Sequence, residues 1–202
     1  MKRSAVLFAL AFASLSSVAR AEDPQGRGWV FLADAQASLA FASGYPSDIQ
    51  KIGDPLYLTT TGASGGGGGT FAALASLHPR VAFGVFGSYG VALNGTYRSS
   101  GAGGGVRVEL LPFSEGWLAP VGFHGSFGVG NASAERRDGV GDAAGTTQSL
   151  VAIGAFRDST LATFEGSRLT WGPTAGYSAV FSRDFARQSL DLGLRLAWVT
   201  NP

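Results

Sequence analysis

The feature that most restricts this chain lies near its C-terminus, where Leu190, Leu192, Leu194, Leu196 and Trp198 alternate with Asp191, Gly193, Arg195 and Ala197. A repeat of two puts successive side chains on opposite faces of a strand, so one face is wholly apolar and the other carries both charges. A helix would scatter the same residues around its circumference. The preceding segment behaves alike: Leu169, Trp171, Pro173, Ala175, Tyr177, Ala179 and Phe181 oppose Arg168, Thr170, Gly172, Thr174, Gly176 and Ser178, and only Val180 breaks phase. From Trp29 to Phe41 the apolar residues face away from Asp34, Gln36 and Ser38. From Trp117 to Val129 they face away from His124 and Ser126, and Val106, Val108 and Leu110 alternate with Arg107 and Glu109. Weaker runs from Thr70 to Leu77, Val81 to Val91 and Thr147 to Phe156 complete a predicted set of eight strands. Pairing of Leu56 to Thr61 inside the first long spacer would raise the count to ten.

Composition sharpens the argument. Hydrophobic residues make up 45% of the chain and charged residues 14%, yet past the N-terminus no apolar run reaches the 18 residues expected of a membrane helix. The apolar content is dispersed in strands. The 31 glycines fit strands and turns better than helices. The spacers alternate in length: His78-Pro79-Arg80 and Ser114-Glu115-Gly116 are tight, whereas 42–69 and 130–146 are long and rich in Gly, Ser, Asn and Asp. The run Gly65 to Gly69 reads as the stem of the first of these loops and, lacking a following Gly-Lys-Ser/Thr, is not a phosphate loop. Asp158 to Gly166 is too long for a tight turn, and Pro120 and Pro173 fall inside assigned strands, where proline is confined to edges, first residues or bulges.

The first 21 residues read as a cleaved signal peptide: Lys2 and Arg3, an apolar stretch from Ala5 to Leu15, and Ala19-Arg20-Ala21 as the cleavage site. Residues 22–202 then form one domain. Of 15 basic residues three leave with the leader, so 12 face 14 acidic ones, a balance that argues against nucleic acid as a partner. With no cysteine, no lipid anchor or disulfide framework is available. Two histidines and no spaced carboxylate cluster speak against a metal site, and nothing implies a cofactor.

One-sided strands also build soluble sandwiches and lipocalin-like barrels that bind an apolar ligand, but there the apolar face must pack a core. Here that face holds many alanines, and the opposite face is Gly, Ser and Thr in place of the Lys and Glu of a water-facing sheet. A lipid-facing exterior around a small polar interior explains both, and closure leaves no unpaired edge in the bilayer. The expected fold is therefore an all-β, closed antiparallel up-and-down transmembrane barrel. The segment Asp191-Leu192-Gly193-Leu194-Arg195-Leu196-Ala197-Trp198 carries the pattern polar, any, Gly, two any, apolar, any, aromatic on Asp191, Gly193, Leu196 and Trp198. In this it resembles the small bacterial outer-membrane barrel proteins of the OmpA, OmpX and OmpW type. The resemblance implies residence in the outer membrane, lipid and the barrel-assembly machinery as partners, a non-enzymatic structural, surface-interaction or narrow-pore role, and long loops free to meet an extracellular ligand. Trp29, Trp117, Trp171 and Trp198 should then form an interfacial girdle on the periplasmic side.

Two sets of polar residues are candidates for chemistry. His124 and Ser126, with Glu135 beyond them, match the His-x-Ser pair and distant Glu of outer-membrane lipid A deacylases, which makes acyl-ester hydrolysis the enzymatic alternative. The polar phase also places Asp34, Gln36, Arg107, Glu109, His124, Asp191 and Arg195 in the lumen. An eight-stranded barrel is only wide enough for side chains to fill. Opposite charges there are expected to pair, forming a closed plug centred on Asp34, Arg107, Glu109 and Arg195.

Overall fold

The computed structural model describes residues 28–46, 50–138, 142–144 and 148–200; the expected leader 1–21 lies outside the described residues, as do parts of both long loops. The strands are β1 (Trp29–Gly44), β2 (Thr59–Thr60), β3 (Ser64–His78), β4 (Val81–Leu93), β5 (Tyr97–Leu110), β6 (Val121–Arg136), β7 (Asp142–Ala144), β8 (Gln148–Arg157), β9 (Ser159–Phe164), β10 (Ser167–Phe181) and β11 (Phe185–Thr200). Each long strand pairs antiparallel with its sequence neighbour, and β1 pairs with β11 from Val30↔Val199 to Gly44↔Phe185, which closes the sheet. Eight staves form the wall, with β8 and β9 sharing one. The short β2 and β7 only extend the rims of β1 and β6, so the first loop does not bring the wall to ten strands.

Alternation governs which way each side chain points. On β1, Val30, Leu32, Asp34, Ala40 and Ala42 are buried while Phe31, Leu39 and Phe41 are exposed; on β11, Arg187, Ser189, Arg195, Ala197 and Val199 are buried between exposed Leu190, Leu192, Leu194, Leu196 and Trp198. The exposed apolar set continues around the wall through Phe71, Phe83, Tyr89, Phe123, Phe127, Ile153 and Tyr177. An uncovered apolar surface of this extent marks contact with lipid or protein, and its continuity around the circumference makes it a lipid belt. The apolar ligand-binding alternative, which needs the greasy face inside, does not fit.

Several boundaries differ from the sequence reading, each for a local reason. Gly65 to Gly69 lies within β3, paired with Ala35 to Leu39 on one side and Tyr89 to Leu93 on the other. A run of glycines has no side chains to display a phase, so its strand character is silent in sequence. It is silent for a packing reason at Gly66, where an added Cβ would strike the Val91 carbonyl oxygen, whereas outward Gly65 faces open space. Trp117 sits in a one-turn 3-10 helix (Gly116–Leu118) ahead of β6, and Pro120 also precedes that strand, so neither is part of the ladder. The stretch from Asp158 to Gly166 is largely strand: β9 continues past the rim of β6 and turns at Glu165-Gly166, where Gly166 adopts φ 72°. Pro173 stays in β10, but Thr174 faces Phe156 and Trp171 faces Ser159, so the proline lies opposite the interruption between β8 and β9.

The four tryptophans gather at the barrel end that carries Trp29 and Thr200. Trp198 stacks on Phe164 with ring centroids 5.2 Å apart, and Trp29 stacks on Phe31 at 6.0 Å. Trp171 pairs across to Leu196, and Trp117 is the most exposed of the four.

Candidate functional site in the barrel lumen

The inward side chains form strata, because each strand contributes one residue to each level. At the terminal end Val30, Leu32, Leu74, Ala82, Ala197 and Val199 close the lumen with apolar side chains. The next stratum is ionic. Arg195 of β11 crosses the barrel and donates twice to Glu109 of β5, Nη1 to Oε1 at 2.6 Å and Nη2 to Oε2 at 2.8 Å. Arg107, two residues along β5, donates to the same carboxylate from Nε at 3.0 Å, with Nη2 at 2.8 Å, and reaches Asp34 of β1 through Nη1 at 3.5 Å. These four side chains are at most 2% exposed. Such burial is tolerable because each charge meets an opposite one, Arg195 and Glu109 in fork geometry.

Two further residues complete this stratum and were missed by the sequence reading. Asp158 lies 3.1 Å from Arg195 Nε, and the Phe156 ring stacks 4.0 Å from the Arg195 guanidinium carbon. In sequence Asp158 opens a stretch that looks like a long turn. The usable signal was the inward phase of β8, which carries Phe156 and then Asp158 to the same level.

Above the ions lies a polar cavity of about 70 Å³, lined by Gln36, Ser38, Ser88, His124, Ser126, Ser178, Arg187, Ser189 and Asp191 among others. Space of that size holds a few waters and no bulky ligand. Asp191 is caged by hydroxyls: Ser38 donates at 2.6 Å, Ser189 at 3.1 Å and Ser178 at 3.3 Å. Arg187 is buried above it, on the same inward phase. Toward the loop end Ala42, Ala132, Ala134, Leu150, Val180 and Phe185 narrow the lumen with apolar side chains again.

The structure thus brings Asp34, Arg107, Glu109 and Arg195 into one network and sets Gln36, His124 and Asp191 in the cavity above it. Of the pattern residues at the C-terminus, Asp191 and Gly193 point inward and Leu196 and Trp198 outward. The deacylase residues are not gathered. His124 and Ser126 point inward near the ionic stratum, while Glu135 is exposed nine residues further along β6, roughly 30 Å away at strand rise. Among the described residues His124 Nδ1 has no hydrogen-bond partner to orient it as a base.

No protein-family model matches the chain, and no curated protein does. Among solved structures, Ail, the attachment invasion locus protein of Yersinia pestis, superposes with a TM-score of 0.51 at 12% identity, over 84% of this chain and 98% of that one. The N-terminal β-barrel domain of Pseudomonas aeruginosa OprF matches at 0.47 and 10% identity, over 86% and 99%, and Neisserial surface protein A at 0.45 and 16%, over 82% and 96%. The likeness is one of fold: a small outer-membrane eight-stranded barrel.

Proposed function

We propose that this protein is an integral outer-membrane barrel whose body is a closed, non-conducting and non-enzymatic scaffold. Its termini face the periplasm and its long loops face outward. The observation that carries the reading is the ionic stratum. Arg195, Glu109, Arg107 and Asp34 span the lumen from β11 through β5 to β1, and apolar side chains seal the level beneath. An ion crossing here would have to break several charge-assisted hydrogen bonds at once. The lipid belt and the tryptophan girdle support the membrane assignment, and the C-terminal pattern supports delivery by the barrel-assembly machinery. Contact with an extracellular partner falls to the first loop, where Leu56, Tyr57 and Leu58 are exposed beyond the wall, and to the loop after β6.

Planar-bilayer recording of the purified barrel tests the reading. Seals without steady unitary current are expected; large, stable conductance from the unmodified protein refutes the closed body. Ester hydrolysis by the same preparation, lost on replacing Ser126 with alanine, would refute the non-enzymatic assignment.

A further inference from the structure

Each long strand of the wall is paired on both sides, but β9 pairs only with β10, from Trp171↔Ser159 to Ser167↔Phe164. The next stave, β6, starts at Val121 opposite Arg157, and the last backbone bond across runs from the Asp158 N–H to the Pro120 carbonyl. Over the six residues Ser159–Phe164 the outer edge of β9 therefore presents N–H and C=O groups with no strand beside them among the described residues. Burial agrees: inward residues are buried along the other staves, whereas in β9 every residue is exposed except the half-buried Ala162. No charge or proline guards the edge within Ser159-Thr160-Leu161-Ala162-Thr163-Phe164. Phe164 stacks on Trp198, which holds the hairpin against the wall, and Ser159 faces Trp171, so the edge runs from the level of the girdle away from the lipid belt.

We propose that this edge binds an extended peptide segment of a periplasmic protein, added as a further strand beside β9. The inference rests on the orientation given above, with the termini in the periplasm. Lipid tails cannot occupy the edge, because they offer nothing to its backbone donors and acceptors. A second copy cannot occupy it either. Antiparallel pairing of β9 with its own counterpart needs a two-fold axis perpendicular to the sheet, and since the sheet is the barrel wall, that axis would turn the second barrel upside down in the membrane. A peptide meets neither obstacle, and strand addition to an open edge is a recurring mode of peptide recognition. Charge sets its chemistry and direction. Arg157 and Glu165 bracket the edge, both exposed and without an ion pair among the described residues. An antiparallel partner brings its N-terminal end to Glu165 and its C-terminal end toward Arg157. The fitting segment is therefore basic at its start, uncharged and β-branched through six residues, and acidic at its end. Exposed Leu161 and Phe164 offer it apolar contacts.

The test uses the full mature chain refolded in detergent, its amide hydrogen exchange read residue by residue, and the end-blocked peptide Lys-Thr-Val-Thr-Val-Thr-Val-Glu as probe. Without peptide, alternate β9 amides, those aimed away from β10, should exchange fast. With peptide at about ten times its Kd, they should slow about tenfold while the other strands stay unchanged. The double variant Arg157→Glu, Glu165→Arg should lose this protection and regain it with the peptide whose end charges are exchanged. Leu161→Pro, placed at the bulge where β10 takes no partner, should abolish it with either peptide. Slow exchange along the edge before peptide is added, no protection by the peptide, protection of other strands in place of β9, or indifference to the charge reversal each overturns the site. If Leu161→Pro fails to fold, the charge reversal decides alone. Orientation is read separately in cells from Glu115→Cys in this cysteine-free chain. An impermeant maleimide should reach that position only after the outer membrane is opened. Labelling of intact cells would refute the orientation, and with it a periplasmic partner, without bearing on whether the edge pairs with the peptide.

Discussion

Arg187 and Arg195 stand eight residues apart on the same inward phase of β11, and both cross the lumen to β5, where the residues that meet them, Gly101 and Glu109, are also eight apart. The geometry repeats while the chemistry does not. At the lower level the arginine finds a carboxylate, a second arginine and an aromatic ring; at the upper level it finds glycine backbone and a small cavity. Between the apolar ends of the lumen, one level is closed by charge pairing and the level above it is kept open by missing side chains. Side chains in so narrow a barrel are the whole interior, so the choice at each inward position decides locally between a seal and a space.

Removing the shared acceptor should break the lower level hardest. Glu109→Ala strands two buried arginines, with only the 3.5 Å contact of Arg107 to Asp34 and the 3.1 Å contact of Arg195 to Asp158 left to offset them. Loss of one member of a buried network typically costs 3–5 kcal/mol, and this change should fall near about 5. The urea midpoint, followed by the shift in gel mobility between folded and unfolded barrel, measures it. A cost below about 1 kcal/mol would mean the lower lumen is as wet as the upper one.

Arg195→Ala should do less, near about 3 kcal/mol, because Glu109 keeps Arg107. It also removes the guanidinium packed on Phe156, so the seal loosens and conductance should rise slightly from zero. Equal costs for the two variants would show that Arg107 does not share the carboxylate.

The same contrast explains what the sequence revealed and what it hid. Strands β1, β10 and β11 were legible because their faces differ sharply, Leu and Trp against Asp, Arg and Ser, and that phase also placed Asp34, Arg107, Glu109 and Arg195 inside. The first half of β3 and most of β5 were not legible, since Gly65 to Gly69 and Gly101 to Gly105 are nearly uninterrupted glycine and show no face at all. Asp158 was hidden by the irregularity between β8 and β9, which reads as a loop although its backbone stays in the wall. Arg187 went unnoticed for another reason. It lies on the polar phase of the clearest strand, three residues before the apolar alternation begins at Leu190, where the outward residues are Ala186 and Gln188 and the pattern loses contrast.

The smallest effects should come from the hydroxyls around Asp191, and their order tests how wet the upper lumen is. Ser38 holds the carboxylate at 2.6 Å, Ser189 at 3.1 Å and Ser178 at 3.3 Å. A hydrogen bond to a charged group is worth roughly 1.5–3 kcal/mol where no water can replace it, but here the cavity admits water. Ser38→Ala should therefore cost about 1 kcal/mol, and Ser178→Ala, which removes the longest of the three bonds, about 0.5 kcal/mol or less. Ser178 also lies 2.7 Å from Ser189, and after its loss the Ser189 hydroxyl is free to turn wholly toward Asp191, which reduces the cost further. Unfolding midpoints of the two variants, taken in the same detergent, read the difference. If both cost as much as Arg195→Ala, water does not replace the lost donors, and the upper lumen is as dry and as tightly specified as the ionic level beneath it.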